Sequence, residues 1–406
     1  MTQPDARESE PSVKADKGDK APAPTKAEVR LRLFARTDVG QVREHNEDNF
    51  LVADLSRGTR GLLESNRQIT VGNAGGLFAV CDGMGGAAAG EVASQLAVDI
   101  LFERMMEGAD ANSITHRDDL ARRLVRAIEA AGLRIFHEAK ADRSRRGMGT
   151  TVTAAALVDD HVFFAQVGDS RGYILRGETL IQVTRDQSLV NQLIEAGQLT
   201  EEEAETFEHN NIILQALGTA DTVQVDLTFT RVVRNDTLLL CSDGLSGMGR
   251  ADEIREILKT HTDPLDACKT LTERANLAGG HDNITVIVVK FEGEGVEELA
   301  SDAAPLKYQK YSLPEESAEQ IEKRHAAASA AVTAPGTRPR SDAPAAVEAD
   351  GDAAVDAGWD DATPPAADEP EERIDIPGTH VPAWVVMVLI LGVIALLGAT
   401  AFLLLR

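Results

Sequence analysis

The sequence predicts an α+β protein in which helices cover antiparallel β-sheets. Many short stretches between residues 31 and 291 are rich in Val, Ile, Leu and Phe and are bounded by turn residues, as strands are. Two longer stretches, 95–106 and 120–137, space their apolar residues as amphipathic helices do. Because these helices are inserted among clustered strands, we expect helices layered over sheets.

The strands are short and follow one another closely. We predict them at 31–37, 49–54, 77–81, 150–158, 161–167, 172–176, 180–183, 224–230, 236–241 and 284–291. His161 and the turn Arg176-Gly177-Glu178 stand between neighbouring strands and favour hairpins. The first helix should begin near Ala89, directly after a glycine turn. Residues 186–218 are polar and mostly helical in pattern, which predicts an excursion from the sheets.

The composition changes along the chain and divides it into four parts. Residues 1–28 are charged and contain prolines, so we expect disorder there. All strand and helix patterns fall within 29–293, which predicts one domain. Residues 294–380 are predicted to be an acidic linker rich in Ala and Pro. Residues 381–405 are 25 residues without a charge, which predicts a transmembrane helix.

The formal net charge of −25 argues against nucleic-acid binding, because no basic surface is available to neutralise phosphates. Residues 342–375 hold 12 acidic residues and one base, Arg373, so this stretch alone carries −11. The charge therefore belongs largely to a solvated tail and says little about the substrate. The three cysteines, Cys81, Cys241 and Cys268, form no zinc-finger or disulfide pattern and suit a reducing cytoplasm.

No export signal opens the chain, so we expect the folded domain in the cytoplasm. With the predicted transmembrane helix this gives a single-pass C-terminal anchor in the inner (plasma) membrane. The one base beyond the span, Arg406, favours the opposite orientation. We give the missing signal more weight, and we expect a monomer.

Five segments each place an acidic residue beside glycine or another small turn residue. They are 43–48, 81–86, 168–171, 241–244 and 281–283, with the acids Glu47, Asp48, Asp82, Asp169, Asp243 and Asp282. The last four segments adjoin apolar runs typical of buried strands, so their acids should lie at strand ends. Clustered carboxylates repel one another unless their charge is compensated. Divalent cations are the simplest compensation, and Mg²⁺ and Mn²⁺ prefer oxygen ligands.

Asp82 illustrates how such a site would form. It follows a strand and precedes Gly83, whose carbonyl can become a ligand because no side chain blocks the approach. Two cations about 3.5–4 Å apart activate a water and stabilise an in-line displacement, usually at a phosphate ester. Arg43, shortly before Asp48, is the obvious cation for the phosphate. Taken singly, an Asp-Gly pair is more often a turn than a ligand, and an arginine such as Arg43 is more often a surface residue.

Six segments together resemble, in order and spacing, the PPM family, the type 2C metal-dependent Ser/Thr protein phosphatases. They are Arg43-x-x-Asn46-Glu47-Asp48, Asp82-Gly83-Met84-Gly85-Gly86, Gly149-Thr150-Thr151, Gly168-Asp169-Ser170-Arg171, Ser242-Asp243-Gly244 and Asp282-Asn283-Ile284-Thr285. The resemblance covers about residues 31–291. It implies a four-layer α-β-β-α sandwich, with two antiparallel β-sheets flanked by helical pairs, a helical flap insertion at about 186–218, and metals in a cleft at one edge.

The resemblance also implies a ligand role for each acid. Asp82 would bridge two Mn²⁺ or Mg²⁺ ions, and the carbonyl of Gly83 would complete one of the two sites. Asp243 and Asp282 would bind the second ion. In bacterial members the aspartate at the position of Asp169 helps to hold a third, weaker ion.

Glu47 and Asp48 would lie beside the ions, partly through waters, and Arg43 would bind the substrate phosphate. A water activated by the two ions would be the nucleophile, with no phosphoenzyme. Many eukaryotic members have His, a candidate general acid, at the position of Met84. Bacterial members commonly have Met there, which leaves a metal-bound water or His281 to deliver the proton. The predicted catalytic residues are therefore Arg43, Asp48 and Asp82.

These observations predict a membrane-anchored phosphoprotein phosphatase that hydrolyses Ser/Thr phosphates and opposes a Ser/Thr kinase. Two alternatives stay open: a non-catalytic phosphoprotein-binding scaffold, and a regulator phosphatase for a stress-response antagonist protein. The scaffold requires lost metal ligands, and every expected acid is present. No sensor domain precedes the folded domain, which counts against the regulator. Asn210 and Gln215 replace two arginines often found in the bacterial flap, so an unusual flap-dependent substrate preference is expected.

Overall fold

The computed structural model describes residues 28–61, 67–86, 89–107, 117–204, 207, 209, 211–247, 249–299 and 306–313. The strands in this part of the chain are β1 (Val29–Asp38), β2 (Asn49–Asp54), β3 (Thr59–Arg60), β4 (Gln68–Val71), β5 (Gly76–Cys81), β6 (Gly83–Met84), β7 (Gly149–Thr150), β8 (Val152–Val158), β9 (His161–Val167), β10 (Arg171–Arg176), β11 (Thr179–Gln182), β12 (Asp226–Arg231), β13 (Thr237–Cys241), β14 (Ile284–Glu292) and β15 (Gln309–Lys310). The α-helices are α1 (Ala89–Met106), α2 (Arg117–Ala141), α3 (Leu189–Glu195), α4 (Glu201–Ala204), α5 (Asp243–Ser246), α6 (Ala251–Thr260) and α7 (Pro264–Leu277).

Two large sheets organise the described residues. One has six strands in the order β11-β10-β13-β14-β1-β4, and the other has seven in the order β15-β12-β9-β8-β5-β2-β3. Neighbouring strands in both sheets are antiparallel. The short pair β6-β7 stands apart from them. The predicted α+β class with antiparallel sheets is therefore confirmed.

The strand β5 shows why the predicted strands are apolar throughout. Its residues alternate between two cores: Leu77, Ala79 and Cys81 pack with α1 and α2, while Phe78 and Val80 pack with the six-stranded sheet. Because both faces are covered, the usual apolar–polar alternation is absent. A third core packs α5, α6 and α7 against the outer face of the six-stranded sheet. Full burial of each large apolar side chain contributes roughly 1.5–3 kcal/mol to holding these elements together.

Most predicted elements are present, but three helices, α5, α6 and α7, and several short strands were missed. The helix α7 carries a clear start signal, because Pro264 occupies its first turn and the side chain of Asp263 accepts a hydrogen bond from the backbone N–H of Leu265. The helix α6 buries Ile254 and Leu258 on one side. The start signal of α7 and the apolar spacing of α6 could therefore have been recognised in the sequence. The strands β3, β6 and β15 have two residues each, which is too short for any pattern.

The packed chain continues past residue 293, where the predicted domain ends. Val296 is fully buried, and Leu306 is 7% exposed in the core between the sheets. The strand β15 then pairs with β12 at the edge of the seven-stranded sheet. Tyr311 packs edge-on against Phe163 and Phe229. The first part of the predicted linker thus belongs to the fold.

The predicted membrane location is contradicted. Within the described ranges, no helix combines the length and the apolar content that crossing a bilayer requires. The predicted span itself, 381–405, lies outside these ranges, as do the predicted disordered N-terminus up to residue 27 and the linker from residue 314 onward.

Candidate active site

The antiparallel registers bring the predicted acids to one edge of the two sheets. Asp48 directly precedes β2 and Asp82 directly follows β5, and these strands pair at Asn49 and Cys81. In the other sheet, Cys241 at the end of β13 lies opposite Val286. The β13–β14 pair therefore places Asp243 near Asp282. Asp169 lies in the loop before β10, and Arg171 of β10 lies opposite Cys241.

Gly244 allows the two loops of the six-stranded sheet to touch. A Cβ atom at this position would lie 2.0 Å from the carbonyl oxygen of Asn283. Only glycine can occupy such a close approach. The Asp-Gly sequence therefore packs Asp243 directly against the loop that carries Asp282.

Glycines serve the same purpose around Glu47. A Cβ at Gly83 would lie 2.4 Å from the carbonyl oxygens of Glu47 and Gly90, and a Cβ at Gly90 would lie 2.6 Å from Oε2 of Glu47. The first turn of α1 is thus pressed against both the carboxylate of Glu47 and the backbone of Gly83. Ser94, one turn further along α1, donates a hydrogen bond of 2.5 Å to the carbonyl oxygen of Glu47.

Hydroxyl groups fix the loop of Asp82. Its backbone N–H donates to Oγ1 of Thr151 at 3.0 Å, and its carbonyl oxygen accepts from the N–H of Thr151 at 2.8 Å. The Thr151 hydroxyl also lies 2.8 Å from the Ser170 hydroxyl, which ties the loop to the segment of Asp169. These contacts involve only backbone atoms of Asp82, so its carboxylate takes no part in them.

Asp48 is held by two hydroxyl groups from the opposite sheet. The hydroxyls of Ser242 and Thr285 donate to Oδ2 at 2.8 and 2.7 Å. Burial nevertheless raises the pKa of Asp48 to about 7, although these hydrogen bonds act in the opposite direction. Such a shift shows that the site destabilises the charged form in the absence of a compensating cation.

The carboxyl groups at the centre of the site repel one another. Burial, and then the charges of Asp48 and Asp243, raise the pKa of Asp82 well above its ordinary range. Burial and the charge of Asp243 raise the pKa of Asp169 to about 7. The pKa of Asp243 is also raised by burial and by the charge of Asp282, although a hydrogen bond from Asp82 opposes this. A hydrogen bond between two carboxyl groups requires that one of them be protonated.

Three carboxylate oxygens in this cluster are buried without a hydrogen-bond partner in the described part of the chain: Oδ1 of Asp48, of Asp169 and of Asp243. Orphaned acceptors of this kind are what divalent oxygen-preferring cations take as ligands. No three His, Cys, Asp or Glu side chains of the described residues are arranged to hold an ion by themselves. Backbone carbonyls and water would have to supply the remaining ligands, as is usual for Mg²⁺.

Arg43 lies at the rim of the same cluster. Its guanidinium donates to Oδ2 of Asp282 at 2.7 Å, and its side chain is 52% exposed. Burial acts to lower the pKa of Arg43, but the charge of Asp282, the hydrogen bond to it and the charge of Glu47 together raise that pKa above its ordinary value. The loop before it rests on the Asp282 loop, because the N–H of Gln41 donates to the carbonyl oxygen of Gly280 at 2.7 Å. The cation predicted to bind phosphate is therefore next to the acids and open to solvent.

Two other residues of the predicted segments, Arg171 and His281, take part in other contacts. Arg171 donates to Asp186 at 2.8 Å and is occupied in the base of the flap. His281, a candidate for proton delivery, is exposed, and a Cβ at Gly279 would lie 2.7 Å from its Nε2 atom. Conversely, sequence reasoning gave no role to Gly90. Its signal, a glycine in the first turn of a helix, is too general to identify a contact.

The predicted flap is closed by a backbone hydrogen bond within it and is joined to β7 where it returns. Ser188 caps α3, and the N–H of Leu189 donates to the carbonyl oxygen of Ile212 at 2.9 Å. On the return, the N–H of Leu217 donates to the carbonyl oxygen of Thr150 at 2.8 Å. Gln215 donates nothing toward the acids among its described contacts, and its Oε1 accepts from the N–H of Gln224. Asn210 lies outside the described residues.

Comparison with known families identifies this arrangement. The family model described as Protein phosphatase 2C matches residues 66–279. The chain therefore belongs to the protein phosphatase 2C family, and it is a metal-dependent protein-serine/threonine phosphatase.

Curated relatives agree. The chain is 37% identical over 267 residues to the protein phosphatase PhpP of Streptococcus pneumoniae, which covers 66% of this chain and 100% of PhpP. It is 37% identical over 257 residues to the serine/threonine phosphatase stp of Listeria welshimeri, which covers 63% of this chain and 94% of stp.

Solved structures are similar as well. The Mycobacterium tuberculosis phosphatase PstP/Ppp gives a TM-score of 0.55 at 34% identity, covering 64% of this chain and 98% of that structure. The PstP catalytic domain crystallised with two manganese ions gives a TM-score of 0.53 at 34% identity, covering 65% of this chain and 99% of that structure.

Proposed function

We propose that the acids at this edge form a dinuclear metal centre at which the chain hydrolyses phosphoserine and phosphothreonine in proteins. The single observation that carries the proposal is the set of three buried, unpartnered carboxylate oxygens on Asp48, Asp169 and Asp243. Leaving buried acceptors unpaired costs about 1–3 kcal/mol each, and more when they are charged. Cations at these oxygens would remove that cost.

The donor set suits two Mn²⁺ or Mg²⁺ ions. Asp82 would contact both ions, the Gly83 carbonyl would serve one, and Asp243 and Asp282 would serve the other. Asp169, apart from this pair and next to the flap base, would hold a third ion more weakly. Such ions supply a water of lowered pKa and neutralise charge on the phosphoryl group.

The chain's own groups orient these parts. Ser242 and Thr285 hold one oxygen of Asp48 and so aim the other toward the cluster. Glu47 is held in place by the contact of its carboxylate with Gly90. Arg43, exposed beside Asp282, would bind the substrate phosphate in bidentate fashion. Met84 offers no proton to the leaving oxygen.

The finer architecture and partners belong to the same proposal. The three apolar cores support a four-layer α-β-β-α sandwich that begins near residue 29, with a helical flap at about 186–218. Because Ser/Thr phosphatases counteract kinases, we propose a Ser/Thr kinase as one phosphoprotein substrate. We further propose that the enzyme acts as a monomer.

Turnover of p-nitrophenyl phosphate and of a phosphothreonine peptide, with and without Mn²⁺, tests this function. We expect turnover that requires Mn²⁺ and that falls at least about a hundredfold in Asp82→Ala, because the ion-bridging ligand is lost. Manganese titration by calorimetry gives a second readout, with two tight sites in the unaltered protein. Equal rates in both proteins, or turnover after complete chelation, would contradict the proposal.

A further inference from the structure

Two arginines on the turn between α2 and β7 have no side-chain partner among the described residues. Arg143 and Arg146 are exposed on the turn that leads from α2 into β7. Arg145, between them, is engaged with Glu138 at 3.2 Å and Asp142 at 3.6 Å. Among the arginines that the structure describes, only Arg143, Arg146 and Arg30 make neither an ion pair nor a side-chain hydrogen bond.

The position of this turn is fixed by contacts on both sides. The strand β7 pairs with β6, so that Gly149 lies opposite Met84. A Cβ at Gly85 would lie 3.4 Å from the Cα atom of Met148. On the other side, a Cβ at Gly149 would lie 2.9 Å from the carbonyl oxygen of Leu217, where the flap returns. The turn therefore lies between the loop that follows Asp82 and the returning end of the flap.

The chain length between the arginines and β7 limits their distance from that strand, to at most about 22 Å for Arg143, which is six residues before Gly149. From Arg146 to Gly149 the chain advances three residues, which span at most about 11 Å. An extended arginine side chain adds several ångströms to that reach. A peptide that runs from the acid cluster toward the returning end of the flap would pass the turn that carries both arginines.

We propose that Arg143 and Arg146 form an anion-recognition subsite, which contacts a carboxylate or a second phosphate near the scissile phosphoserine or phosphothreonine. This inference rests on the proposed function. Guanidinium groups bind both anions with paired hydrogen bonds. Because the arginines are exposed at the rim, they act on capture of the substrate more than on the chemical step. The subsite selects acidic or multiply phosphorylated segments, although the chain itself carries a net charge of −25.

The test compares three phosphothreonine peptides with the full chain in Mn²⁺. One has neutral flanks, one has glutamates on both sides, and one has a second phosphothreonine two residues away. We expect the last two to have kcat/KM values about tenfold above the neutral peptide, mainly through KM. The variant carrying both Arg143→Gln and Arg146→Gln should lose this preference while its rates on the neutral peptide and on p-nitrophenyl phosphate stay within twofold.

Arg30→Gln is the matched control, since it removes an unpaired, exposed charge at the far end of β1. That end is roughly 26 Å from Asp38 by the rise of a strand. A salt series gives a readout that needs no variant: the preference should shrink toward 0.5 M NaCl as charges are screened. A gain for the doubly phosphorylated peptide alone assigns the subsite to phosphate, and a gain for both acidic peptides assigns it to anions in general.

The possible failures are distinguishable. If the unaltered enzyme turns over no substrate at all, including p-nitrophenyl phosphate, the proposed function fails and the subsite with it. If it turns over all three peptides equally, or if Arg30→Gln removes the preference as fully as the double variant does, only the subsite is refuted.

Discussion

Two aspartates at opposite ends of β13 show the difference between an acid that stabilises the fold and one that the fold leaves available. Asp236, just before the strand, is 1% exposed and accepts three hydrogen bonds from Arg176, at 2.6–3.3 Å. It also accepts from the N–H of Val233 at 2.9 Å. Asp243, just after the strand, keeps a buried oxygen with no hydrogen-bond partner among the described residues, and it adjoins other acids. Both lie in the same sheet, so the contrast lies in their partners.

The largest effect should come from exchanging each aspartate for asparagine. Asp243→Asn removes the charge of a proposed metal ligand and should lower kcat/KM at least about a hundredfold without loss of thermal stability. Asp236→Asn leaves the largely buried Arg176, whose side chain is 14% exposed, without its counter-ion, and should cost about 3–5 kcal/mol of unfolding free energy, with activity per folded molecule retained. Urea unfolding and peptide turnover on both variants provide the check. If both variants lose the same property, the two aspartates have one role and the distinction is wrong.

Gly244→Ala should come next, because it changes the contact that holds Asp243 against the Asp282 loop. The added Cβ would lie 2.0 Å from a backbone oxygen, so the loops must separate. We expect about a tenfold or larger loss of Mn²⁺ affinity, measured by calorimetry, together with lower stability. The matched control is Gly86→Ala in the neighbouring loop, where a Cβ would meet nothing within 4 Å. An effect of equal size in the control would point to general loop sensitivity.

Thr285→Val should have a smaller effect of the same kind. It removes one of the two hydroxyl groups that hold Asp48, while it preserves the shape of the side chain. We expect a roughly tenfold weaker Mn²⁺ affinity, as is typical when a partner of a metal ligand is lost. Thr285→Ser, which keeps the hydroxyl, should restore most of it. Unchanged affinity in the valine variant would show that Ser242 alone positions Asp48.

The smallest effect concerns pH. The pKa values of Asp48 and Asp169 are raised to about 7 in the folded chain, above the ordinary value near 4 of an unfolded aspartate. The stability that these groups contribute is therefore complete below about pH 4 and is lost as the pH rises through about 7. In chelator, Tm should be several degrees lower at pH 8 than at pH 6.

Adding Mn²⁺ sharpens that measurement. Since cations replace the protons that the acids need, Mn²⁺ should raise Tm more at pH 8 than at pH 6. Asp48→Asn should weaken the pH dependence in chelator. A Tm that is independent of pH without metal, or a metal effect that is larger at pH 6, would contradict the repulsion inferred for the cluster.

The sequence allowed much of this to be predicted. Strand positions and the acids beside them were readable, because four of the acids stand close to one end of an apolar run and beside a small turn residue. The contacts that support the acids were not readable. Ser242 reaches Asp48 across 194 residues, and the crowding of Gly90 against Glu47 exists only once α1 has docked. Local pattern carries no information about such pairings.

The packing of residues beyond 293 could not be predicted from the sequence for a related reason. The strand β15 consists of Gln309 and Lys310, which form no apolar pattern, yet it pairs with β12. Its place is set by the free edge of the sheet and by the aromatic contacts of Tyr311, neither of which is local to its own sequence.

That segment has a practical consequence for anyone who expresses the catalytic part alone. A fragment that stops at residue 293 would uncover the hydrogen-bonding edge of β12 and the face of Phe229 that Tyr311 covers. Unprotected sheet edges promote association between copies of a chain. A fragment that extends through Leu313 keeps the seven-stranded sheet closed at this side and gives the sounder starting point for crystallisation and kinetics.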